Sequence, residues 1–126
     1  MKSISKLKKE LDKWFSLYIR LRDADDLGFV ECFTSGRFYH YKNIHAGHFM
    51  SRKHLSTRWC STNVQPQSIG DNLFGQGEQY KFSIALDSKY GEGTAKELEL
   101  TARTIMKVSR IDYEEKISYY KDLVDK

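Results

Sequence analysis

"HAGHFMSRKH", residues 45–54, holds three of the chain's four histidines, and the fourth, His40, lies just upstream. The stretch follows neither a helical 3.6-residue spacing nor a strand alternation, and the same holds from Asn43 to Gly77, a span that contains the only proline, Pro66. Backbone of this kind is where irregular, site-forming structure sits. Its position divides the chain into an N-terminal helix with a hairpin, an irregular centre, and a helical C-terminal part.

Working outward, Ser3 is placed to cap a helix whose apolar positions Leu7, Leu11, Trp14, Phe15, Tyr18 and Leu21 predict an amphipathic run to about Asp25. "DDLG", residues 25–28, stops it. Phe29 to Phe33 reads as a strand, and "TSGR" as a turn into "FYHY" at 38–41, which together predict a hairpin. Downstream, a helical pattern runs from Glu78 through Tyr80, Phe82, Ile84 and Leu86 to Tyr90, where "GEG" ends it. Thr94 is placed to cap a helix to about Val108, and Ser109 with Asp112 forms a weaker capping box for a last helix containing Ile111, Ile117, Tyr120 and Val124. The expectation is one α+β domain over 1–126: an N-terminal helix over 1–25, a centre over 28–77, and about three helices over 78–126. The apolar stripes read as core rather than as ligand platforms.

An aromatic content of 13% with a single proline excludes a disordered chain. No apolar run is long enough to span a bilayer, and "MKSISKLKKELDKW" lacks the uninterrupted apolar stretch of a signal peptide, so no membrane association is expected and the protein reads as cytoplasmic. Two cysteines, Cys32 and Cys60, make no disulfide framework.

The net charge of +4 is mild, but its distribution is not. From residue 32 to residue 70 there is no Asp or Glu, and the same window carries Arg37, Lys42, Arg52, Lys53, Arg58 and every histidine. A phosphate-facing surface needs such a window, since lysine and arginine neutralise backbone charge that carboxylates would repel. The competing reading is a solvated basic loop.

A His-x-x-His pair such as His45 and His48 is a metal-binding spacing but needs a third ligand. Neither cysteine lies in a nucleophile motif, and there is no P-loop or dinucleotide glycine pattern. Phosphodiester hydrolysis fits what is present, with one histidine activating water beside a metal held by His, Asn or carboxylate. "HAGH" at 45–48, "TNVQPQ" around Asn63 and "DN" at 71–72 set out the order His, Asn, Asn.

These segments, with "KLKKELDKWFSLYIRLRDAD", "CFTSG" and "GEQYKFSIALDSKYGEGT", resemble the phage NinG (Rap) family of recombination endonucleases, related in pattern to the HNH nucleases. The resemblance covers nearly the whole chain from residue 6. It implies a small β-hairpin-plus-helix (ββα-metal) centre embraced by helices. It also implies His48 as general base, Asn63 as the residue that fixes the loop and orients that histidine, and Asn72 as a metal ligand. His45 stands where the family's pattern commonly has Asp, as a metal ligand or phosphate contact, with Asp71 a further candidate ligand. Mg²⁺ or Mn²⁺ suits these donors. Arg37, Lys42, Arg52, Lys53 and Arg58 are the expected DNA contacts. The implied partner is branched or Holliday-like DNA, in the cytoplasm of a phage-infected or prophage-carrying bacterium, with a homodimer left open.

The departures from the family pattern fall at its cysteines. Where the family has Cys-x-x-Cys at the hairpin and a further cysteine before the last motif position, this chain reads Cys32-Phe33-Thr34-Ser35 and Ser68-Ile69-Gly70-Asp71. A serine hydroxyl does not ionise near neutral pH as a thiolate does, which argues against a structural zinc at Cys32, Ser35, Ser68 and Asp71. Two further readings accompany the endonuclease: a non-catalytic DNA-binding module with a degenerate metal site, and a protein-interaction domain built on the terminal helices. The second leaves the clustered histidines unexplained.

Overall fold

Ser3 caps the first helix as its position predicts: its hydroxyl accepts a hydrogen bond from the Lys6 amide at 3.1 Å and opens α1, Ile4–Leu21. The computed structural model describes residues 1–126. Helix α1 ends at Leu21 rather than near Asp25, because the Asp25 carboxylate turns back onto the amides of Leu27 and Phe29 and builds the turn into the first strand. Leu7, Leu11, Phe15 and Ile19 form its buried stripe at i, i+4 spacing.

The predicted hairpin is present as β1, Phe29–Glu31, antiparallel to β2, Phe38–His40, with Val30 opposite Tyr39. The centre is more regular than its composition suggests. A second antiparallel hairpin pairs β3, His45–His48, with β4, Val64–Gln67, in the register His45 to Gln67 and His48 to Val64. Strand β4 is buried along its whole length, so it lacks the alternation that marks a half-exposed strand. Between the two strands lies a loop with a single helical turn, α2, Leu55–Arg58. After β4 the chain makes one π-helical turn, Gly70–Phe74.

The helical part follows as α3, Gln79–Tyr90, α4, Thr94–Ala102, and α5, Arg110–Asp125. In α3 the predicted apolar positions split: Phe82 and Leu86 are buried, while Tyr80 and Ile84 face outward. Alternate positions on a helix lie about 200° apart, so these two pairs occupy opposite faces. Thr94 is not the cap of α4; Gly93 holds that place with a positive φ, and the Asp87 carboxylate accepts from the Ala95 amide. Helix α4 ends at Ala102, six residues short of the expected Val108. The Ser109 and Asp112 capping box of α5 forms in full.

The largest core cluster joins α1 to α5 and the second hairpin: Leu11, Phe15 and Ile19 meet Trp59, Val64, Tyr113 and Ile117. Each such apolar side chain stabilises the fold by about 1.5–3 kcal/mol on full burial. The end of α1 is also tied to β4 by hydrogen bonds. The Arg22 guanidinium donates to the carbonyls of Ser61 and Val64 and to the Gln65 amide oxygen. Helix α1 thus forms one wall beside the second hairpin. No helix is long and apolar enough to cross a membrane.

Candidate functional site

Strand β3 carries His45 and His48, and the close approach of β4 dictates the residue between their flanks. A Cβ at Gly47 would collide with the Gln67 side chain, so only glycine fits at that place in "HAGH". The π-helical turn after β4 brings Asn72 back over β3, where its Nδ2 lies 3.0 Å from His45 Nδ1. His45, His48 and Asn72 line one cleft of about 640 Å³, whose opposite wall is α1.

His48 is held by a single defined contact. Its Nε2 lies 2.9 Å from the Arg58 carbonyl oxygen. A carbonyl only accepts, so Nε2 carries the proton and Nδ1 keeps a bare lone pair. Burial pushes the imidazole below the ordinary histidine value; the Arg58 carbonyl partly offsets this, and the charge of Arg52 adds to it. The ring is therefore neutral at pH 7, the state a base requires.

Asn63 is fully buried and uses its whole amide on the connecting loop. Its Oδ1 accepts from the Met50 amide at 2.8 Å, and its Nδ2 donates to the carbonyls of Met50 at 3.1 Å and Thr57 at 3.0 Å. The loop that carries Arg52, and that presents the Arg58 carbonyl to His48, is pinned by this one side chain.

Of the cations named from the sequence, Lys42 and Arg52 line the cleft and are exposed. Lys53 and Arg37 are exposed but lie outside the cleft lining. Arg58 is more fully engaged: its guanidinium grips the Asp12 carboxylate at 2.6 and 3.2 Å and lies over the Trp59 ring, whereas Arg52 comes only to 3.9 Å from the same carboxylate. Asp12 also accepts from Trp59 Nε1 at 2.9 Å. His40 accepts from the Lys42 amide, and His54 stands at the start of α2; neither lines the cleft.

The apolar lining, which includes Ile44, Ala46 and Leu73, was not foreseen, and neither were three polar cleft residues, Asp12, Ser16 and Arg20 of α1. Their spacing of four places them on one helical stripe beside the buried one, and that pattern was the available signal. Arg20 donates to the Tyr41 carbonyl at 2.7 Å, and burial lowers its pKa, though an arginine remains charged.

Asp71, adjacent to Asn72, points elsewhere. Its carboxylate accepts from the Thr34 hydroxyl at 2.7 Å and lies 3.9 Å from Cys32 Sγ. Cys32 in turn accepts from the Ser68 amide at 3.2 Å, and Gln67 donates to Thr34. Burial would raise the Cys32 thiol, but hydrogen bonds from Ser35, Ser68 and Thr34 outweigh it and hold the thiol below its ordinary value. This donor set does not fit a structural zinc, for only Cys32 and Asp71 are metal-binding types here, and no group of three His, Cys, Asp or Glu forms anywhere in the chain. A hydrogen-bonded clasp joins the first hairpin to β4 and the π turn instead. Chelators are therefore expected to leave the melting temperature unchanged, whereas Asp71→Ala should cost about 1–2 kcal/mol, read by thermal or urea denaturation.

A catalytic divalent ion is a separate matter. His45 Nδ1 and Asn72, whose amide presents oxygen when turned over, are 3.0 Å apart, a separation that suits two neighbouring ligands of one small ion. With two neutral donors and no carboxylate beside them, an ion held here would have to take the rest of its shell from water and phosphate.

No curated protein and no solved structure matches the chain. The family model described as Bacteriophage Lambda NinG protein does match, over residues 1–126, and with the whole length covered the chain belongs to the NinG family.

Proposed function

We propose that the chain is a metal-dependent, HNH-like DNA endonuclease of phage recombination that cuts branched or junction DNA. Family membership suggests the recombination-related role. The observation that carries the chemistry is His48: its Nε2 is occupied by the Arg58 carbonyl, and the neutral ring lines a cleft with Arg52, Lys42 and Arg20.

In this reading the phosphate is held by Arg52 and Lys42, and His48 Nδ1 takes the proton from a water as its oxygen bonds to phosphorus. The P–O bond opposite breaks, and the leaving oxygen ends with a proton from solvent. A divalent ion at His45 and Asn72 would neutralise charge developing on phosphate oxygens. Asn63 keeps the loop in place, so that the Arg58 carbonyl continues to orient the imidazole. The test is nicking of supercoiled and four-way-junction DNA by the purified chain, with Mg²⁺ or Mn²⁺ and with EDTA. Cutting that needs the ion supports the reading, and none under any divalent ion overturns it.

A second reading, a DNA-binding module without catalysis, is favoured by the small donor set and by the engagement of the one carboxylate in the cleft lining, Asp12, with Arg58 and Trp59. Both readings require the cleft cations to meet phosphate. Replacing Lys42 and Arg52 together with glutamine should make the dependence of log affinity on log salt shallower by about 0.9 for each phosphate no longer neutralised. Arg58→Gln should leave that slope unchanged and lower stability instead. Binding titrations over a range of salt concentrations check both outcomes.

A further inference from the structure

The turn that brings Asn72 to the cleft also exposes two large apolar side chains that the core does not use. Leu73 is 58% exposed and Phe74 85%. Leu73 lines the cleft together with His45 and Asn72, and Phe74, the next residue, stands exposed outside the cleft lining.

The backbone beneath the pair is fixed. Gly75 donates to the Gly70 carbonyl at 2.9 Å, Gly77 to the Asp71 carbonyl at 2.8 Å, and the buried Gln67 amide to the Gly77 carbonyl at 2.7 Å. Just after the tip, Gln76 and Glu78 have φ of 54° and 47°, a region unfavourable for residues with a Cβ. Such strain persists only where surrounding structure over-determines it, and it concentrates at functional sites.

We infer that Leu73 and Phe74 form a wedge that stacks on an unstacked DNA base beside the phosphate held in the cleft. Charge selects this occupant: Arg20, Lys42 and Arg52 lie along the same cleft, and nucleic acid offers an anion and an apolar ring face within one nucleotide. A continuous duplex keeps its ring faces stacked and gives the wedge nothing to grip. The inference deepens the endonuclease reading, on which its choice of DNA rests.

The test uses the full chain in EDTA, where no cutting occurs, with two probes of the same sequence: a continuous duplex and one with a single bulged 2-aminopurine. The parent should bind the bulged probe more tightly and change its fluorescence. Phe74→Ala should weaken that binding about 5- to 150-fold, the range for loss of one base stack, and leave the continuous duplex within about two-fold. Phe74→Trp should keep the preference. Since Phe74 is exposed, an unchanged melting curve shows that the variants fold. Equal losses on both probes, or an unchanged preference in Phe74→Ala, overturn the wedge. If His48 is needed for cutting but Phe74 does not discriminate between the probes, only the wedge falls. If no divalent ion supports cutting but bulge binding depends on Phe74, only the endonuclease reading falls. Binding of neither probe overturns both.

Discussion

Replacing His48 with alanine is expected to cut metal-dependent cleavage by about 10²- to 10⁴-fold, the usual cost of losing a general base, while DNA affinity changes by no more than about three-fold. The split follows from geometry. His48 lines the cleft as a half-buried, uncharged ring whose Nε2 is taken by the Arg58 carbonyl, so phosphate binding falls to the exposed cations Lys42 and Arg52. His40→Ala and His54→Ala should leave cleavage near that of the parent, because neither residue lines the cleft. Single-turnover cleavage and equilibrium binding, measured on the same preparations, separate the two effects. Equal cleavage by the parent and His48→Ala would remove the base from this position.

The same residue has a pH signature. Burial lowers the His48 pKa below the ordinary value of 6.5, so the neutral, reactive form should persist to lower pH than for an exposed histidine. As pH falls below 6.5, the unfolded chain takes up a proton that the folded chain resists, and this component of stability is lost. Above 6.5 both states are neutral and the component is flat. Its acid limb should disappear in His48→Ala when unfolding free energy is compared with the parent across pH.

How far the sequence carried the fold depends on the periodicity each element imposes. Helix α1, the first hairpin and α5 could be read because their signals are local: Ser3 and Ser109 at caps, and "TSGR" between two short apolar runs. The second hairpin could not, because Val64, Gln65, Pro66 and Gln67 are all buried, two of them polar glutamines and one a proline that strands rarely hold, so neither burial nor strand propensity follows the sequence pattern. Its stability is tertiary, through Arg22 from α1 and Gln67 to the Gly77 turn. For the site, the motif order His48, Asn63, Asn72 pointed to residues that the hairpin and π turn gather around one cleft and its loop. The α1 wall was missed because Asp12, Ser16 and Arg20 are remote in sequence and have no motif of their own. Arg58 illustrates the limit of counting charge: its partner Asp12 lies outside the acid-free window.

Asn63 should prove the most sensitive position for the fold of the site. In Asn63→Ala the Met50 amide and the carbonyls of Met50 and Thr57 lose the partner that a fully buried side chain gave them, the Thr57 bond being itself buried. An unsatisfied buried group costs about 1–3 kcal/mol, so a total loss of about 3 kcal/mol or more is expected, a large fraction of the 5–15 kcal/mol typical of a domain. Asn63→Asp has almost the same shape and should be worse at neutral pH. It keeps the acceptor for the Met50 amide but turns a carboxylate oxygen toward two carbonyls that had received N–H donors. That repulsion and burial raise the folded-state pKa of the new carboxyl above its unfolded value, so the deficit should shrink as pH falls, when the protonated acid donates one hydrogen bond, and grow as pH rises. Urea unfolding of both variants against the parent at acid and neutral pH reads this crossover. Because the same loop presents the Arg58 carbonyl to His48, cleavage by the folded fraction should fall with it. Full stability and full cleavage in Asn63→Asp would show that the loop holds its place without that amide.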